Sequence, residues 1–126
     1  MTDVRSLAQT TLDTALYPDV RVFWLRKSDG EDPGEYVVYT LSGDPAVYAD
    51  GTTLTRNANI TVRYYYRDSM LDSSAGRAAI KAREAQIAEA LQGVGFLLPG
   101  GWFDSGDIDD IGFGTTIFEA YYSRVT

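Results

Sequence analysis

Residues 34–68 read GEYVVYTLSGDPAVYADGTTLTRNANITVRYYYRD, and this stretch decides the fold. Ile60, Val62, Tyr64 and Tyr66 alternate with Thr61, Arg63, Tyr65 and Arg67. A period of two puts the first set on one face of a sheet and the second on the other. Upstream, Tyr36 to Leu41 reads as a second strand, broken by Ser42-Gly43-Asp44-Pro45. Ala46 to Ala49 offers a brief pairing segment, and Asp50-Gly51 is a strong hairpin-turn signal. Thr52 to Asn59 is polar and rich in Thr and Asn. The span 42–59 is therefore expected to be an excursion, a hairpin arm projecting beyond the sheet.

On the N-terminal side, Val4, Leu7, Ala8, Leu12, Ala15 and Leu16 recur at helical spacing, so residues 2 to 16 are expected to form a helix capped by Thr2 or Asp3. Tyr17-Pro18-Asp19 ends it, because proline disfavours helix in the residue before it. Val20 to Lys27 reads as a strand, with Val20, Val22 and Trp24 on one face and Phe23 and Leu25 on the other. The segment 28–34, SDGEDPG, is a polar loop of turn formers. On the C-terminal side, Asp72 or Ser73 caps a helix expected over 74–92. Its apolar face is Ile80, Ile87 and Leu91, widened by Ala79, Ala88 and Val94, and Gly93 and Gly95 stop it. Phe96 to Phe103, interrupted by Pro99-Gly100-Gly101, and Thr115 to Val125 read as closing strands. In the last, Phe118, Ala120 and Tyr122 share a face opposite Ile117, Glu119 and Tyr121. The order α-β-β-(hairpin arm)-β-α-β-β predicts an α+β fold, two helices packed on a mainly antiparallel or mixed sheet. Residues 1–126 make one domain, with no repeat and no linker.

Composition narrows the chemistry. The chain has no cysteine and no histidine, which removes disulfides, thiolate nucleophiles and the commonest general base and metal ligand. Eighteen acidic against eleven basic residues give a formal charge of −7. That disfavours a nucleic-acid binder, whose affinity rests on cations that neutralise phosphates. There is no apolar run of about 18 residues, so no membrane helix is expected. The opening MTDVRSLAQ has an early acid and no apolar segment, unlike an export signal, so the expected compartment is the cytoplasm of the producing cell.

Three constellations are candidates for a site. Asp104, Asp107, Asp109 and Asp110 are the densest acidic cluster. Set against a calcium loop, Asp107, Asp109 and Gly112 fit positions one, three and six. Ile111 then falls at position five and Phe118 at twelve, where a bidentate acid is needed. A solvated acidic loop is the better reading, and no metal site is expected. Glu35 and Glu119 are the candidate pair for a glycosidase, which needs carboxylates roughly 5–10 Å apart across a cleft. Nothing in the sequence fixes their separation, and no catalytic residue is assigned. The set Arg56, Arg63, Arg67 and Arg124, with Tyr65 and Tyr121 near it, faintly resembles a stacking platform for nucleic acid. In an acidic chain, cross-strand ion pairs or a protein interface explain it better.

Nine tyrosines, five phenylalanines and two tryptophans exceed what one small core consumes. Tyrosine joins apolar area to a polar tip and is enriched at interfaces. Tyr36, Tyr39, Tyr48, Tyr65 and Tyr121 are expected on an outward or intersubunit face. Asp50 of the turn and the bases Arg56, Arg63 and Arg67 complete the candidate interface.

The phrase Tyr36-Val37-Val38-Tyr39, the turn from Tyr48 to Gly51, the 60–67 strand, the helix after it and the closing strand come in a telling order. In that order and pattern, over most of its length, the chain resembles the tail-terminator (tail-completion) proteins of long-tailed bacteriophages. The resemblance implies a virion protein that forms a ring, most often a hexamer, on the last layer of tail-tube protein at the head-proximal end. Such a ring stops tube polymerisation and presents the surface on which the head–tail connector or neck protein docks. It is assembled in the host cytoplasm, and DNA passes through its lumen without specific binding. No catalytic residue, cofactor or metal is carried over. Asp29, Glu31 and Asp32, with Asp104, Asp107, Asp109 and Asp110, are the acidic candidates for the lumen or the docking faces. A head-completion or neck adaptor protein on the portal side, and a small soluble ligand-binding domain, are the alternatives.

Overall fold

The computed structural model describes residues 4–16, 19–25, 34–43, 55–99, 101–105 and 112–125. Its elements are α1 (Val4–Leu16), β1 (Arg21–Trp24), β2 (Glu35–Gly43), β3 (Thr55–Arg67), a 3₁₀ turn (Asp68–Asp72), α2 (Ser74–Gly93), β4 (Trp102–Ser105) and β5 (Phe113–Val125). The five strands form one mixed sheet in the order β1-β2-β3-β5-β4, parallel between β1 and β2 and antiparallel elsewhere. Both helices pack on one side of it, the α+β arrangement expected from the sequence.

Alternation along the long strands builds the core. Ile60, Val62, Tyr64 and Tyr66 of β3, Val37 and Tyr39 of β2, and Phe118, Ala120 and Tyr122 of β5 are buried together under the helices. Ala8, Leu12 and Leu16, each four apart on α1, meet Ile80, Ile87, Ala88 and Leu91 of α2 over that surface. The Gln86 side-chain amide donates to the Ala15 carbonyl at 2.5 Å and ties the two helices together. Ala79 and Val94 are exposed, so the buried face of α2 is narrower than its run of small residues implied.

Three elements depart from the sequence expectation. Thr55 to Asn59 is strand, not part of an excursion, because Tyr121–Val125 of β5 supplies a ladder for it and Ala58 fits the core. Phe96–Phe103 is not a continuous strand. Leu97 makes one bridge to Tyr121, then the chain turns, with Gly101 at φ 67° and its N–H donating to the Leu98 carbonyl at 3.0 Å. Strand β1 stops at Trp24, since Leu25 has φ 71°, which bends the chain away from an extended path although its N–H still donates to the Tyr39 carbonyl at 3.0 Å. The turn at 50–51, the segment 46–49 and most of the loop 28–34 lie outside the described residues.

Ser73 caps α2, its Oγ accepting from the Gly76 N–H at 3.0 Å. A Cβ at Gly76 would sit on the Met70 carbonyl oxygen and 2.9 Å from Met70 Cα, where only backbone movement makes room. Helix propensity alone favours alanine over glycine by about 1 kcal/mol. Gly76→Ala is nevertheless expected to destabilise the protein by about 1–3 kcal/mol, read as a lower urea midpoint at unchanged m.

Candidate interaction surface

On the side of the sheet away from the helices, the alternate residues build a second, smaller core. Phe23 of β1, Tyr36 and Val38 of β2, Tyr65 of β3 and Phe113 of β5 are buried against one another. Tyr36 lies flat on Tyr65, with ring centroids 4.6 Å apart and planes 11° from parallel. Phe23 and Phe113 meet Tyr36 edge-on at 6.2 and 5.4 Å. Two guanidinium groups cover its ends, Arg67 at 4.6 Å from the Phe113 centroid and Arg21 at 5.8 Å from that of Phe23.

This arrangement sorts the candidate interface residues. Tyr36, Arg63, Tyr65, Arg67 and Tyr121 do share the helix-free face, by the alternation of β2, β3 and β5. Tyr36 and Tyr65 are not outward-pointing there, because each is the other's stacking partner and both are buried. Tyr39 is corrected more fully. It sits in the main core under the helices, its hydroxyl donating to Gln9 Oε1 at 2.7 Å. Being three residues from Tyr36 along a strand, it cannot share that residue's face. Arg56 pairs in register with Arg124 at the far end of the ladder from Arg63 and Arg67, so the four arginines do not gather. Asp104 is exposed in β4. Tyr48, Asp50, Asp29, Glu31, Asp32, Asp107, Asp109 and Asp110 lie outside the described residues.

The carboxylate pair does not assemble. Glu35 is on the helix side and Glu119 on the helix-free side, so no single cleft has both. Glu35 instead accepts a hydrogen bond from the Tyr64 hydroxyl and lies 3.5 Å from Arg83 Nε of α2. Next to it, Thr116 donates to Glu84 at 2.6 Å. These bonds fasten the middle of α2 to the sheet.

Sequence reasoning missed the residues that stand out most. Among the described residues seven large apolar side chains are exposed, and five of them lie at the two edges of the sheet. Trp24 and Leu25 end the β1 edge, while Trp102, Phe103 and the bridging Leu97 mark the β4 side. Each edge adjoins an open groove. One of about 560 Å³ between α1 and β1 is lined by Gln9, Asp13, Thr14, Arg21 and Val22. One of about 460 Å³ beside β4 is lined in part by Asn59, Phe103, Glu119 and Tyr121. The available signal was two tryptophans in short apolar runs bounded by turn formers. Periodicity assigns such residues to a face but does not say which strand is outermost.

Compared with protein-family models and with curated proteins, the sequence matches none. Among the described residues, no helix is long and apolar enough to cross a membrane.

Burial, then the bond to Glu35 and its negative charge, pushes the Tyr64 hydroxyl well above its ordinary value of 10.0, with Arg83 opposing. Tyr66 is raised too, by burial and then by the carboxylate of Asp104. The folded state therefore keeps these protons at a pH where the unfolded chain loses them, so stability falls as pH rises past about 10. Tyr64→Phe is expected to cost about 1 kcal/mol near neutral pH through the lost bond. It should also make the alkaline limb of a stability–pH curve, measured by urea unfolding, less steep than in the parent.

Proposed function

We propose that this chain is a structural assembly subunit that forms a ring at the head-proximal end of a long-tailed phage's tail tube. There it ends tube polymerisation and presents the surface for head docking. The observation that carries the reading is the gathering of exposed apolar side chains at both sheet edges, Trp24 and Leu25 on one and Trp102 and Phe103 on the other. Monomeric proteins protect sheet edges with charge, proline or cover, whereas large exposed rings at a sheet edge invite another chain. The two edges are unlike, and a head-to-tail contact between unlike surfaces closes into a ring when the rotation per subunit permits. The order of elements agrees with the plan that the resemblance implies. A formal charge of −7 suits a lumen along which DNA slides without adhering.

Light scattering on the purified protein, alone and with purified tail-tube protein, tests the proposal. The expected result is a mass several times the 13.9 kDa monomer, either from the start or once tube protein is added. A monomer that ignores the tube but binds the head's portal would place the chain in the neck instead. A monomer indifferent to both would remove the virion reading.

A further inference from the structure

The directions of the strands specify more than an edge that attracts a partner. β1 is parallel to β2, and each later step across the sheet is antiparallel, so β1, β2 and β5 run one way while β3 and β4 run the other. A second copy set beside the first in the same orientation brings its β1 against β4 of the first as antiparallel neighbours, with all helices on the same side.

Register follows from the faces. Opposed residues in a regular sheet share a face. On β1, Phe23 faces away from the helices, as its place in the smaller core shows, and Trp24 alternates to the helix side. On β4, Trp102 is on the helix side, opposite Phe118 and 5.7 Å from its ring, while Phe103 is opposite Ile117 on the other face. Each strand has four residues. The one register that pairs all four on matching faces sets Arg21 against Ser105, Val22 against Asp104, Phe23 against Phe103 and Trp24 against Trp102. A two-fold pairing of β1 with itself at full overlap would oppose Arg21 to Trp24, residues on different faces. The same holds for β4 with itself, Trp102 against Ser105. Like-with-like pairing therefore forfeits part of an already short ladder, and the unlike pairing does not.

Side-chain chemistry agrees. Trp24, Trp102 and Phe103 are 43%, 45% and 48% exposed, and this register covers all three. Phe103 of one copy continues the aromatic row that Phe23 and Tyr36 begin in the next. Asp104, on the helix side opposite Val22 in this register, would face the groove between α1 and β1, whereas the Arg21 guanidinium lies over Phe23 on the other face, so the joint rests on its aromatic pairs and not on an ion pair. Asp13, also in that groove, accepts from the Gln9 side-chain amide at 3.0 Å.

We propose that copies of this chain join head to tail by antiparallel pairing of β4 with β1 of the next copy, Phe103 opposite Phe23 and Trp102 opposite Trp24. The proposal rests on the reading of the chain as an assembly subunit, but not on which assembly it serves.

The absence of cysteine makes the test clean. Arg21→Cys and Ser105→Cys are prepared as separate variants that keep the rings intact, mixed in equal amounts and oxidised. The expected product is the mixed disulfide dimer, at least about tenfold over either homodimer, a ratio equivalent to 1.4 kcal/mol. The double variant should give a ladder of cross-linked oligomers. Leu71→Cys, exposed on the 3₁₀ turn, sets the random background. Phe103→Asp should weaken association at least about tenfold in sedimentation while leaving the unfolding midpoint in place. Homodimers as abundant as the mixed species, or cross-linking no better than the Leu71→Cys background, would overturn the proposal. Cross-linked oligomers that ignore tail-tube protein would keep this pairing and reject the phage assignment. Tube binding without the mixed disulfide would do the reverse.

Discussion

Everything in this sheet hangs on β3, which pairs along its whole length with β5 and from Ala58 to Tyr66 with β2. Its two faces are both committed. Ile60, Val62, Tyr64 and Tyr66 fill the core under the helices, while Tyr65 is stacked on Tyr36 on the other side. A slip of one residue would exchange the two sets and place Arg63 and Arg67 under the helices. Two filled faces therefore hold one register far more firmly than one filled face would. Gly114 takes part in the same constraint. A Cβ there would come within 2.6 Å of the Tyr66 ring, so the start of β5 is shaped by the aromatic residue it opposes.

The helices depend on this frame in turn. Their apolar faces account for most of the attachment, but the polar contacts sit where packing alone would leave α2 free to slide along its axis. Glu35 between Tyr64 and Arg83, Glu84 against Thr116, and Gln86 to the Ala15 carbonyl are three consecutive pegs along the middle of the helix. Each joins a residue of α2 to a different element or strand, and so fixes rotation and translation together.

Much of this was legible because period two and period 3.6 are local signals. The alternations in β3 and β5 and the faces of both helices at Leu12, Leu16, Ile87 and Leu91 required nothing beyond neighbouring residues. What escaped was set by distant partners. Thr55–Asn59 looks like loop by composition and becomes strand because β5 is there to pair with it. Tyr36 and Tyr65 looked like interface residues because nothing in the sequence says that a second aromatic core closes over them. The sequence places Trp24 on a strand face and Trp102 within a closing strand, but their exposure could not be read from it, because lateral strand order is a property of the whole sheet. The candidate site was thus the least legible part, depending on which strands came to lie at the two ends of the row.

Leu25 adds a last consequence. A leucine at φ 71° stands in a region that costs an L-residue roughly 1–2 kcal/mol, and its N–H is still held by the Tyr39 carbonyl at 3.0 Å. The kink acts as an end stop on β1. An edge that ran on through Leu25 would offer a longer apolar template for indiscriminate strand addition, the route by which β-proteins turn into fibres. At four residues, such an edge is too short to recruit an arbitrary strand tightly, and only a strand that matched both of its faces would be held there.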